Sequence, residues 1–228
     1  MYAGIKDNLV KLLRHSSNPT RNEERFNTIS HGAGVLLGLV AVVLLALKAS
    51  RPGIGGAEGA ALLIFGISLT VLYLASTLYH AAPVGPAKRV LRRFDHSAIF
   101  LLIAGTYTPF AIMAMPRTPA IIILSVEWGL AFTGIILAVF FKRHGKSWQQ
   151  VAFVILYLIM GWLILPAIGD VSRILSSQAL GWTIAGGVAY TAGVLFFSLK
   201  RVPYAHGIWH IFVLGGSVSH FVAVYVYL

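Results

Sequence analysis

His206 and His210 stand four residues apart in an otherwise apolar stretch near the end of the chain. On a helix this spacing puts two side chains on one face, one turn apart. Two imidazoles so placed can hold one metal ion. Ser76 and His80 repeat the spacing elsewhere, and His80 is the best candidate for a third ligand from another helix. Three histidines and a water form the layout of a catalytic zinc site, whose fourth position is kept for chemistry. Zinc suits imidazole ligands and a tetrahedral shell. Asp95 could orient or deprotonate the bound water, and Ser76 could hydrogen-bond to it. Each ligand ring also needs a partner for its second nitrogen; Asn27, His31 or Glu24 could serve. A single histidine at a helix end is usually an interfacial, hydrogen-bonded residue. It is the constellation that points to a metal.

These side chains need elements to hold them. Only 11% of the 228 residues are charged, against about 25% in ordinary globular domains, and the mean hydropathy is +0.80. The charges are clustered, leaving uncharged runs long enough to cross a bilayer. The expected fold class is therefore an all-α integral membrane protein, a seven-transmembrane helix bundle. The spans are expected at about 29–47, 59–80, 96–115, 119–141, 150–168, 179–199 and 205–227. Pro109 should kink the third span by removing a helical hydrogen bond. Residues 26–228 form one transmembrane domain, and residues 1–25 form a tail. In the first 16 residues Ile5, Leu9, Leu12 and Leu13 fall on one helical face beside Lys6, Lys11 and Arg14, the pattern of an interfacial amphipathic helix. No cleavable signal peptide is visible, so the first span is expected to direct its own insertion. Cysteine is absent, which excludes disulfides and thiolate metal ligands.

The net charge of +11 would suggest nucleic acid in a soluble protein. Here it reads as basic residues flanking spans, with anionic lipid headgroups as partners and no nucleic acid. Fourteen of the 18 basic residues lie in the tail and in the connections after spans two, four and six. The positive-inside rule then places the N-terminus in the cytoplasm and, with seven spans, the C-terminus outside. Lys48, Arg51, Arg117 and Arg173 remain on the other side. This topology gathers Glu24, Asn27, His31, Ser76, His80, Asp95, His206 and His210 at one end of the bundle. Polar side chains within a membrane tend to be paired and functional. Glu127, within span four, should either face a polar cavity or be protonated.

Four motifs, Glu24-Arg-Phe-Asn27-Thr-Ile-Ser-His31, Ser76-Thr-Leu-Tyr-His80, Phe94-Asp95-His-Ser-Ala-Ile99 and His206-Gly-Ile-Trp-His210, resemble the ordered motifs of the haemolysin III family. That family is the bacterial branch of the progestin and adiponectin receptor group and is related to the alkaline ceramidases. The resemblance runs from about Glu24 to the C-terminus. It implies a zinc ion near the cytoplasmic side, with His80, His206 and His210 as ligands and Asp95 and Ser76 beside the zinc-bound water. His220 lies ten residues after His210, as a further histidine does in the receptors; about three turns deeper and too far to be a ligand, it reads as a buried, hydrogen-bonded core residue. The receptors usually carry Gly where this chain has Ala98, a change expected to touch helix packing more than zinc chemistry. Two functions follow as expectations. One is a zinc-dependent hydrolase of a membrane lipid amide or ester, in the bacterial inner (plasma) membrane. The other is a non-enzymatic membrane-homeostasis or sensor protein with a structural zinc. A pore-forming cytolysin fits less well, because a pore wants a polar stripe through the whole bundle.

Overall fold

The computed structural model describes residues 19–140, 147–199 and 202–228. The amphipathic segment expected over the first 16 residues lies outside them, as do Lys142, Arg143, Lys146, Lys200 and Arg201. Among the described residues there is no strand, and seven helical segments are long and apolar enough to cross a bilayer. Helix α1 spans Arg21–Ala49, α2 Gly56–Ala81, α3 Pro86–Ala114 and α4 Arg117–Phe140. The fifth crossing is composite: α5 (Ser147–Gly161), a 3-10 turn (Leu165–Ala167) and α6 (Ile168–Ile174). Then come α7 (Ser177–Ser198) and α8 (Ala205–Val222), which runs into a π-helical turn at Ala223–Tyr227.

Neighbours in sequence pack as antiparallel pairs, α1 on α2, α2 on α3, α3 on α4 and α7 on α8, and α8 returns to α1 to close the bundle. Helix α3 is the most enclosed of the crossings. It remains one helix through Pro109. Close approach needs small residues where backbones cross. A Cβ on Gly38 of α1 would sit 3.1 Å from the Cα of Thr70 on α2.

Two helices begin earlier than hydropathy alone indicates, and the reason is local. Thr20 caps α1 by accepting from the Glu23 amide, while the Glu23 carboxylate accepts from the Thr20 amide. This reciprocal capping box satisfies two otherwise orphaned donors. It starts α1 about two turns before its apolar stretch, inside the segment 1–25 expected as a tail. Helix α3 starts at Pro86, a residue suited to the first turn because its missing N–H costs nothing there. The early starts place Glu24, Asn27 and Asp95 on regular helix rather than in loops.

The fifth span, expected as one segment over 150–168, is interrupted before Pro166 and continues to Ile174. Pro166 has no N–H to return to the preceding turn. Tyr107 of α3 stitches the break: its hydroxyl donates to the Gly161 carbonyl at 3.0 Å and accepts from the Ile164 amide at 2.9 Å.

Lys48, expected with the few basic residues on the side opposite the N-terminus, is buried. Its Nζ donates to the carbonyls of Val224 and Tyr225 at 2.9 and 2.8 Å. A cation is well placed at the negative end of a helix, and this one ties the end of α1 to the end of α8. Replacing it with Met keeps the apolar stem and removes both bonds. Hydrogen bonds to a charged group are worth about 1.5–3 kcal/mol, and about 2–4 °C of melting temperature accompanies each kcal/mol in a chain of this size. Lys48→Met should therefore melt several degrees lower in detergent, with the exposed Arg51→Met as the unchanged control. Equal melting of the two variants would remove Lys48 from this role.

Candidate metal centre

The antiparallel arrangement puts the starts of α1, α3 and α8 and the finish of α2 at one end of the bundle, where the polar motifs meet. The entry into α8 is fixed from α1. Tyr204 takes a left-handed conformation (φ 58°), uncommon for a residue other than glycine. Its amide donates to Glu23 Oε1 at 2.9 Å, and its ring packs edge-on against Phe26. Gly207, next to His206, lets α8 approach α1: a Cβ there would run into the Phe26 ring and the Asn27 side chain.

In this frame His80, His206 and His210 converge, with one ring nitrogen from each lying within 4.8 Å of the other two. His80 and His210 are buried and His206 is partly so. The Nε2 atoms of His80 and His206 are 3.2 Å apart. Two nitrogens each about 2.0–2.1 Å from a tetrahedral zinc would be separated by about 3.3 Å.

The hydrogen bonds behind the rings decide which nitrogens face the centre. His80 Nδ1 lies 2.6 Å from Glu24 Oε2, and a carboxylate can only accept. The proton is therefore on Nδ1, and in the neutral ring the Nε2 lone pair faces His206. Ser30 donates its hydroxyl hydrogen to the Asn27 carbonyl at 3.0 Å. Its oxygen, 3.1 Å from His210 Nδ1, is then left to accept from that ring. His210 Nε2 thus also carries a lone pair, buried and without a hydrogen-bond partner among the described residues. Two fixed lone pairs aimed inward beside a third imidazole, in a place with no carboxylate among the convergent donors, is the chemistry of a cation site for nitrogen-preferring metals. The residues fit zinc.

Around the trio the proposed partners take different positions. Glu24 grips His80 and also pairs with Lys88 at 3.0 Å. Asn27 Nδ2 lies at the limit of hydrogen bonding from His80 Nδ1, 3.5 Å, and Asn27 Oδ1 is buried without a partner. His31 is stacked face to face on His210, centroids 3.5 Å apart and 12° from parallel. Neither of its nitrogens has a hydrogen-bond partner among the described residues, so it supports His210 by packing. Ser76 is buried one turn before His80, its Oγ also without a partner. Asp95 is buried near the start of α3 and lies outside the set of convergent donors. Ser30 was missed in the sequence. The available signal was its place beside His31, one turn after Asn27 and on the same face of α1.

Deeper in the bundle the Tyr73 hydroxyl donates to Ser217 Oγ at 2.6 Å, and Tyr190 meets the same oxygen at 2.9 Å. His220 is buried and stacks on Tyr190. Its Nδ1 has no hydrogen-bond partner among the described residues. Glu127 is fully enclosed in α4, and neither carboxyl oxygen has a hydrogen-bond partner among the described residues.

The family profile described as haemolysin-III related matches residues 20–221, nearly the whole chain. The chain belongs to the haemolysin III-related family. It is 39% identical to Hemolysin-3 of Bacillus cereus over 206 residues, covering 90% of this chain and 92% of that one. It is also 39% identical to the Hemolysin-3 homolog of Bacillus subtilis (strain 168) over 212 residues, 91% and 95% of the two chains. Human monocyte to macrophage differentiation factor, a more distant relative in the progestin and adiponectin receptor group, is 31% identical over 173 residues, 72% and 69%. Family membership and the seven bilayer-length helices make this an integral membrane protein.

Proposed function

We propose that this haemolysin III-family protein is a zinc-dependent hydrolase acting on an amide or ester of a membrane lipid, in a bacterial inner membrane with its N-terminus in the cytoplasm. The observation that carries the reading is the convergence of one ring nitrogen each from His80, His206 and His210 within 4.8 Å, with Glu24 and Ser30 behind two of the rings. Three protein ligands leave a fourth position for chemistry. Bound zinc supplies Lewis acidity, polarising a carbonyl and lowering the pKa of a coordinated water. Glu24 holds the His80 proton on Nδ1 throughout. Asp95 is assigned as the base that accepts a proton from water, and Ser76 Oγ as the hydrogen-bonding group beside it. His31 and Ser30 keep the His210 ring from turning. An open groove of about 640 Å³ at this end is lined by Glu24 and by His80 of the trio, a size suited to a small ligand or lipid headgroup.

A second reading, a structural zinc, has one observation in its favour. Helices α2 and α8 meet through long side chains, His80 with His206 and Tyr73 with Ser217, so an ion there would fasten them together. One experiment separates the two. Zinc-loaded protein in vesicles of mixed amide and ester lipids is assayed for released fatty acid by mass spectrometry, with and without a chelator. Release that stops with chelation and returns with zinc is the expected result. A zinc-loaded protein that releases nothing, yet melts lower when chelated, would transfer the site to the structural role.

A further inference from the structure

The groove that reaches His80 combines charged and apolar lining. Arg21 and Arg25 of α1 line it, one helical turn apart and both exposed. Neither guanidinium makes a hydrogen bond or ion pair among the described residues. Among the described residues the nearby acids have other partners. Glu23 accepts from the amides of Thr20 and Tyr204, and Glu24 holds His80 and Lys88. Lys88 is itself saturated, its three hydrogens shared among Glu24 and the carbonyls of Tyr79, His80 and Ala82. Two positive charges without an ion pair among the described residues therefore line the groove, on one face of a helix, where like charges disfavour each other unless an anion lies between them.

The rim is also apolar. Ile29 is 71% exposed and Val84 97% exposed, and both line the cavity. A free anion has no use for such surface, whereas a lipid has an anionic head for the arginines and chains for Ile29 and Val84. Arginine forks match phosphate oxygens geometrically.

We propose that this cavity binds the phosphate-bearing headgroup of an anionic membrane lipid through Arg21 and Arg25, presenting the lipid to the histidine centre. Naming that lipid as the substrate class rests on the hydrolase reading; the binding itself does not. Each basic residue near an anionic surface gives about a five-fold gain in binding, so two give on the order of twenty- to thirty-fold.

The test uses full-length, zinc-loaded protein in nanodiscs of phosphatidylcholine and phosphatidylglycerol, carrying Asp95→Asn so that turnover cannot consume the probe. Native mass spectrometry reads the retained lipid. The protein should retain phosphatidylglycerol over phosphatidylcholine by on the order of tenfold or more. Arg21→Gln/Arg25→Gln should bring the ratio close to one with its zinc content unchanged. Arg92→Gln/Arg93→Gln removes two exposed charges at the same end, outside the cavity, and should keep the preference. Millimolar glycerol phosphate should not displace the lipid. The proposal is overturned if the first pair keeps its preference, if the second pair loses as much, or if glycerol phosphate competes. Selective retention in a protein that shows no hydrolysis before Asp95 is replaced would sink the hydrolase reading and leave this site standing.

Discussion

Glu24→Gln should weaken zinc binding ten- to a hundredfold, as losses of the group behind a ligand histidine do. The charge matters more than the contact. A glutamine can still accept from His80 Nδ1, but it no longer draws that proton or enriches the ring electronically. It also presents an uncharged group to Lys88 in place of the 3.0 Å ion pair. Lys88 keeps its three carbonyl partners, so the end of α2 stays in place and the bundle remains folded. Competition titration against a chromophoric zinc chelator measures the effect. A Glu24→Gln protein that binds zinc as tightly as wild type would mean that Glu24 serves only the Lys88 contact.

Asp95→Asn should lower lipid hydrolysis by 10²–10⁴-fold, the usual worth of a positioned general base, while leaving bound zinc unchanged. Asn is close in size and keeps hydrogen-bonding capacity, so the buried position on α3 is not emptied. The separation of the two readouts is the point. Asp95 is outside the convergent ligand set, so a loss of metal would assign it a coordinating or structural part. Unchanged turnover with full zinc would remove it as the base.

Much of this arrangement was legible in residue types and spacing. The seven apolar runs fall where helices cross, and the i, i+4 histidines with His80 converge because antiparallel helices bring the finish of α2 to the start of α8. Other features were illegible for physical reasons. Hydropathy finds apolar surface, but α1 begins where Thr20 and Glu23 cap it, two turns earlier. A lysine after an apolar run looks like an interfacial charge, and only the packed end of α8 shows why Lys48 turns inward. The break in the fifth span depends on the Tyr107 hydroxyl, 54 residues from Gly161 in sequence. For Ser30 the only signal is its place beside His31: whether a serine in a helix serves its own backbone or a distant ring depends on what packs opposite. In this protein it serves both.

The central claim is that His80, His206 and His210 hold one divalent ion. Zinc-loaded protein, dialysed and then measured by elemental mass spectrometry and X-ray absorption, tests it most directly. The expected result is about one zinc per chain in an all-nitrogen-and-oxygen shell at about 2.0–2.1 Å, lost from a still-folded His210→Ala protein. Wild type that retains no stoichiometric zinc, or His210→Ala that retains as much as wild type, would contradict it.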